Sequence, residues 1–305
     1  MYDRVRSGRN GHIRQTMPNI DANSVLPIAE LKEKAAEIRL LAVDAVGHAK
    51  SGHPGGSLSV ADLIAYLYFY KMKVDPADPK WPDRDRFVLS KGHCCPALYA
   101  ALALRGFFPV SDLNGLRTLE SHLSGHPNML ETPGVDMSTD SLGQGISAAN
   151  GIALAGKRGG KSYRVYAALG DGEIQEGEVW EAAMFASHYK LSNLTIYVDY
   201  NHLQIDGDVR EVMNPTPIDK KFEAFGWFVQ TIDGHDFRQI DEATKRAEAD
   251  ERPSAIIMTT VKGKGVSFME NQAGWHGKAP KGDEYEQAMR ELKDALARAK
   301  EENHG

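Results

Sequence analysis

Five short apolar segments, alternating with stretches of helical spacing, constrain this chain more than any other feature. They span 86–90, 164–169, 194–199, 228–232 and 255–261, and helical patterns lie between them at about 95–105, 143–157, 176–190 and 236–248. Strands that alternate with helices need crossover connections, which put the strands parallel and cover both faces of the sheet. Right-handed crossovers then wind an open, doubly wound α/β fold. Two further helices are expected ahead of the first strand. One begins at Pro27, with Ile28, Leu31, Ala35, Ile38, Ala42 and Val46 at helical spacing; the other runs from an N-cap at Ser59 to about Lys73, after a break at Gly52–Gly56. A last helix near 283–300 follows the fifth strand. The expected organisation is a flexible extension over residues 1–25 and one domain over 26–305.

Charge and cysteine usage remove several classes of function. A formal net charge of -6 with no basic block offers no electrostatic surface for nucleic acid. The only two cysteines, Cys94 and Cys95, are neighbours and cannot staple a fold, which points to a reducing compartment and a cytoplasmic location. No apolar run reaches membrane-spanning length, and residues 1–20 have no apolar segment of the signal-peptide kind.

In an open parallel sheet, ligands bind beyond the carboxyl ends of the strands. Two motifs fall there. The segment ending at Leu169 runs into Gly170-Asp171-Gly172-Glu173, and the next, ending at Asp199, runs into Tyr200-Asn201-His202-Leu203. Asp171 and Asn201 stand thirty positions apart with one helix between them, so neighbouring strands would bring them together. A carboxylate, an amide oxygen and a loop carbonyl suit Mg²⁺ or Ca²⁺, and the flanking glycines let backbone N–H groups approach an anion. Alone, Gly-Asp-Gly reads as a turn with a capping Asp; the paired placement at two strand ends reverses that reading. Neither Gly170-x-Gly172 nor Gly143-x-Gly145 has the third glycine of a dinucleotide fingerprint.

The pair resembles the thiamine diphosphate motif. By that resemblance Asp171, Asn201 and the Leu203 carbonyl are the metal ligands, Mg²⁺ or Ca²⁺ the metal, and Gly172 donates its N–H to the diphosphate. Further motifs select a family. Ser51-Gly-His53-Pro-Gly, Leu89-Ser-Lys-Gly-His93, Ser124-Gly-His126-Pro, Leu142-Gly143-Gln-Gly-Ile, Gly170-Asp-Gly-Glu-Ile-Gln-Glu176-Gly and Trp275-His276-Gly, which follows the last strand and its Lys262-Gly-Lys-Gly loop, are similar to transketolases in order and spacing, over about 36–277. The resemblance implies that His93 and His276 lie near the cofactor diphosphate. It implies that His53 and His126 face the sugar hydroxyls, with His276 also near the reacting hydroxyl; imidazole exchanges protons with hydroxyls near neutrality. Glu176 and Glu181 match glutamates that lie at a subunit interface and link to a partner's glutamate. The resemblance also implies that the backbone from Leu142 to Ile146, with Gly143, lies close to the cofactor, as does Gly170; a plain helix N-terminus is the alternative for Leu142–Ile146. Glu173 matches no catalytic acid of the family and reads as loop. His122 and His126 stand at i, i+4, but Gly125 and Pro127 oppose the helix that would make them a zinc pair.

Transketolases activate the cofactor with a glutamate from a second domain, and the sequence ends before such a domain. The resemblance therefore implies the N-terminal, diphosphate-binding subunit of a two-chain transketolase, inactive without its C-terminal partner and assembled as an α2β2 heterotetramer; a truncation of a longer transketolase is the other reading of that end. It would move a two-carbon ketol unit between sugars or sugar phosphates. The alternatives are a subunit of the deoxyxylulose-phosphate synthase type and a non-catalytic paralogue on the same fold.

Overall fold

The computed structural model describes residues 26–304, so the expected extension over 1–25 lies outside the described residues. Its centre is a five-stranded parallel sheet in the order β1-β2-β3-β7-β6, formed by Arg86–Leu89 (β1), Val165–Gly170 (β2), Leu194–Tyr200 (β3), Phe228–Asp233 (β6) and Ser254–Thr259 (β7). A two-stranded hairpin, Leu203–Gln204 (β4) with Gly207–Asp208 (β5), projects from the end of β3. After β3 the chain passes to the far edge to make β6, then returns to fill the gap with β7.

The central strands read as unbroken apolar runs because both of their faces are covered. In β2, Tyr166 and Ala168 point into one core while Val165, Ala167 and Leu169 point into the other. The first core is closed by α1 (Leu31–Ala49), α2 (Pro54–Tyr66), α3 (Cys95–Arg105) and α8 (Phe237–Ala249). The second is closed by α4 (Gln144–Arg158), α5 (Gly177–His188) and α7 (Ile218–Ala224); a short α6 (Val209–Met213) precedes α7. The last helix, α9 (Asp283–His304), packs on α1, and its Ala288 and Leu292 join Val266, Met269 and Trp275 in a third cluster. That cluster fixes the loop carrying Trp275 and His276.

The five strands agree with the sequence reading to within a residue or two at each end. The helix expected to start at Ser59 does not. It starts at Pro54, with His53 at its N-cap, and Gly55 and Gly56 lie inside its first turn. Tertiary packing overrides the poor helix propensity of glycine here. A Cβ on Gly56 would lie 2.5 Å from Cys94 Sγ, and one on Gly55 would lie 2.8 Å from the Trp275 carbonyl oxygen. Ser59 is therefore an interior residue, and its Oγ donates to Asp199 Oδ2 at 2.6 Å. Among the described residues, no helix is long and apolar enough to cross a membrane.

Candidate active site

Four strand ends open onto one cavity of about 210 Å³, which Asp171, Asn201, Leu203, Lys262, His93 and His276 help to line. The register explains the first three. Gly170 pairs with Asp199, so the residues that follow these strands emerge side by side. Asp171 is buried; its Oδ2 accepts from the His202 N–H at 2.6 Å and its Oδ1 from the Gly172 N–H at 2.8 Å. Asn201 Oδ1 accepts from the Leu203 N–H at 3.1 Å, which folds the loop so that the Leu203 carbonyl joins the same wall.

Opposite stands Lys262, 2% exposed, with Nζ donating to the Leu203 carbonyl at 2.9 Å and lying 3.0 Å from His276 Nδ1. Burial lowers its pKa to about 8, although Asp171 pulls the other way. Burial, reinforced by repulsion from Asp199, pushes Asp171 up to about 7. A dry carboxyl that lacks a cation and a dry ammonium that lacks an anion share one cavity. A divalent cation bound to Asp171 and a diphosphate reaching Lys262 would relieve both, so these residues fit the cofactor and metal that the motif implies.

Beneath the cavity the polar groups are saturated. Lys91 donates to Asp199 Oδ2 and to the Gly56 carbonyl, and Asp199 also accepts from Ser59 and Thr260. Burial alone would discharge Lys91, but the Asp199 carboxylate outweighs it and raises the lysine above its ordinary value. Glu173, read from sequence as loop, is a buried anchor. Its Oε1 accepts from Ser90 Oγ and from the Gly143 N–H at 3.0 Å, and its Oε2 from the Gly170 N–H at 2.9 Å. One carboxylate thus ties the exit of β1, the start of α4 and the exit of β2. Gly143 caps α4 at φ +88°, and a Cβ there would lie 2.7 Å from Glu176 Cβ, so the turn admits only glycine. The Gly170 and Gly143 N–H groups are taken up by Glu173. The Gly172 N–H is held by Asp171, so donating to a diphosphate requires that bond to be shared.

The four loop histidines converge. The His53 ring lies 5.2 Å from His93, 5.4 Å from His276 and 6.3 Å from His126, and His93 lies 5.0 Å from His276, centroid to centroid. Their proton affinities diverge. Burial, with the neighbouring His93 and Arg117, lowers His53 to about 4. Burial and the Lys262 ammonium lower His276 to about 3. Burial also lowers His126, against the pull of Asp140. Burial opposes a charge on His93 as well, but the Cys94 sulfur and Asp140 outweigh it and raise His93 to about 9. Two half-buried neutral rings, His53 and His276, and the charged ring of His93 therefore stand together near neutral pH. His122 is turned away: it meets Asp112 Oδ2 at 3.1 Å and packs on Phe108. Glu176 and Glu181 are both exposed and make no side-chain ion pair or hydrogen bond among the described residues. Near them Met184, Phe185, Ile205 and Met213 expose apolar surface.

Behind Lys262 a polar relay fixes the backbone. His235 Nε2 accepts from the Val261 N–H at 2.9 Å, His235 Nδ1 meets Asp62 Oδ2 at 2.6 Å, and Arg39 pairs with Asp62. Sequence reading placed Lys262 and Lys91 only as parts of quoted loops and did not single out Asp140, Arg117, Asp199 or His235. Lysines are exposed by default, and nothing local marks these as buried.

The family model described as "Transketolase, thiamine diphosphate binding domain" matches residues 31–297. The chain is 46% identical over 264 residues to the 6-deoxy-6-sulfo-D-fructose transketolase subunit SqwG of Clostridium sp. (strain MSTE9), covering 86% of this chain and 96% of that one. It is 40% identical to an apulose-4-phosphate transketolase subunit from Phocaeicola vulgatus, over 92% of this chain and all of that one. Against the Homo sapiens transketolase the identity is 43%, but the match spans only 42% of that protein. The solved transketolase of Campylobacter jejuni superposes with a TM-score of 0.82 at 34% identity, over 90% of this chain and 46% of that one. The chain therefore spans 96% or more of the relatives called subunits and less than half of the single-chain enzymes.

Proposed function

This chain belongs to the transketolase family, through its thiamine diphosphate binding domain, and we propose that it is the diphosphate-binding subunit of a two-chain transketolase. The observation that carries this reading is the cavity where Asp171, Asn201 and the Leu203 carbonyl face Lys262. Residues 26–305 form the cofactor domain. Asp171, Asn201 and Leu203 hold a divalent cation, Mg²⁺ or Ca²⁺, through hard oxygen donors, and Lys262 and His93 meet the diphosphate. Thiamine diphosphate, when bound, supplies the electron sink for breaking and remaking the bond beside a ketose carbonyl. His53 and His126 orient the sugar hydroxyls. His276, neutral near pH 7, accepts a proton from the reacting hydroxyl and returns it.

A partner chain closes the site and supplies the activating carboxylate. Exposed Glu176 and Glu181, beside apolar Met184 and Phe185, mark where it docks, and an α2β2 heterotetramer in the cytoplasm is the assembly this reading favours. The substrates are a ketose donor and an aldose acceptor whose distal anionic groups the partner grips.

Mixing the chain with a C-terminal transketolase subunit from the same organism, thiamine diphosphate and Mg²⁺ tests the reading. Ketol transfer should require both chains and vanish in Asp171→Ala. Transfer by this chain alone, or wild-type transfer by Asp171→Ala, would overturn it.

A further inference from the structure

Asp140 is a non-glycine residue at φ +118°, in the region of the backbone map that favours glycine. Its carboxylate collects three donors. Oδ1 accepts from the His93 N–H at 2.6 Å and lies 3.1 Å from His93 Nδ1, and Oδ2 lies 2.8 Å from His126 Nε2. The residue is half-buried, and the His126 side chain is 44% exposed.

We propose that Asp140 is a positioning residue: its single carboxylate orients both His93 and His126 and keeps a proton on the nitrogen of each ring that faces it. The inference rests on the transketolase reading for what the two histidines meet, and on geometry alone for the clamp. A carboxylate fixes the tautomer and orientation of a hydrogen-bonded imidazole and stabilises its charged form. With Nδ1–H of His93 turned to Asp140, its Nε2 faces the other way, 3.9 Å from where a Cβ on Gly56 would stand. On the charged ring that nitrogen carries a proton that an anionic cofactor group can accept, in competition with the neighbouring Cys94 sulfur. With Nε2–H of His126 turned to Asp140, its Nδ1 is the atom left to face a sugar hydroxyl. The backbone strain at Asp140 is what brings one side chain within reach of both rings. Other groups face the pair: Cys94 favours a charge on His93 together with Asp140 while Lys91 from the β1 exit opposes it, and Arg117 and His93 oppose a charge on His126, which Asp140 favours.

The test compares Asp140→Asn, which keeps the shape and loses the charge, with Asp140→Gly, which relaxes the φ and removes the side chain. Ring-¹⁵N NMR of the purified chain follows His93 and His126 against pH without cofactor or partner. Both titrations should move down by about one unit or more in each variant, a tenfold or larger change in proton affinity. The Gly variant should melt no lower than wild type, since its backbone strain is relieved. With partner, kcat/KM for the ketose should fall roughly 10- to 100-fold and the acid limb of the pH profile should shift. Unmoved titrations of both rings in a folded Gly variant would overturn the clamp, and so would an unshifted pH profile with wild-type kcat/KM. Wild-type chain that binds no thiamine diphosphate would sink the transketolase reading, while the NMR comparison would still decide the clamp.

Discussion

Replacing Glu173 by Gln exchanges one carboxylate oxygen for an NH₂ group and leaves the shape alone, so it isolates what the buried anchor contributes. In the native chain both oxygens are used: Oε1 by Ser90 and Gly143, Oε2 by Gly170. If the amide oxygen keeps Ser90 and Gly143, its NH₂ points at the Gly170 N–H, donor against donor. A buried donor left without an acceptor costs about 1–3 kcal/mol. We expect a loss of about 2 kcal/mol, a fall in Tm of roughly 3–5 °C for a domain of this size. Glu173→Ala strands both amides and should cost roughly twice as much.

Burial raises the native pKa of Glu173 above its ordinary value, against its three hydrogen bonds. A carboxyl with a raised native pKa binds more proton when folded, so its contribution is full below the unfolded value and declines as pH rises through the native one. The gap between wild type and Glu173→Gln should therefore be widest in mild acid. Urea unfolding across pH 5 to 8 reads this directly. A Gln variant as stable as wild type throughout would remove the anchoring role of Glu173.

Three other outcomes follow from the site. Because burial and Asp199 push Asp171 up to about 7, and a metal needs the ionised form, apparent Mg²⁺ affinity in the presence of thiamine diphosphate should fall about tenfold per pH unit below that value; a flat profile from pH 7.5 to 5.5 would exclude Asp171 as a ligand. His53→Ala should leave thiamine diphosphate affinity within about threefold and lower kcat/KM of the reconstituted enzyme by roughly 100-fold; wild-type turnover would remove His53 from the sugar-facing wall. His235→Ala strands the Val261 N–H beside Lys262, so it should weaken cofactor affinity as well as lower Tm; a lower Tm with unchanged affinity would make the relay purely structural.

The sheet was legible because its central strands are buried on both faces and stand out as apolar runs between turns. The start of α2 was not, because Gly55 and Gly56 look like helix breakers until Cys94 and the Trp275 carbonyl are seen to leave no room for a side chain. The histidines were legible through the glycine and proline motifs that carry them. Lys262, Lys91 and Glu173 sit within the same motifs, yet their roles depend on burial by distant segments, and a lysine or glutamate gives no local sign of that. Asp140 and His235 were missed for the same reason: each acts through partners 14 to 173 positions away in sequence.

Calorimetric titration of thiamine diphosphate into the purified chain, with Mg²⁺ and with chelator, alone and with the C-terminal partner chain, tests the central claim most directly. The account predicts binding that needs the metal and that appears or tightens when the partner is present. Absence of binding under every condition would contradict it and leave a non-catalytic member of the transketolase family.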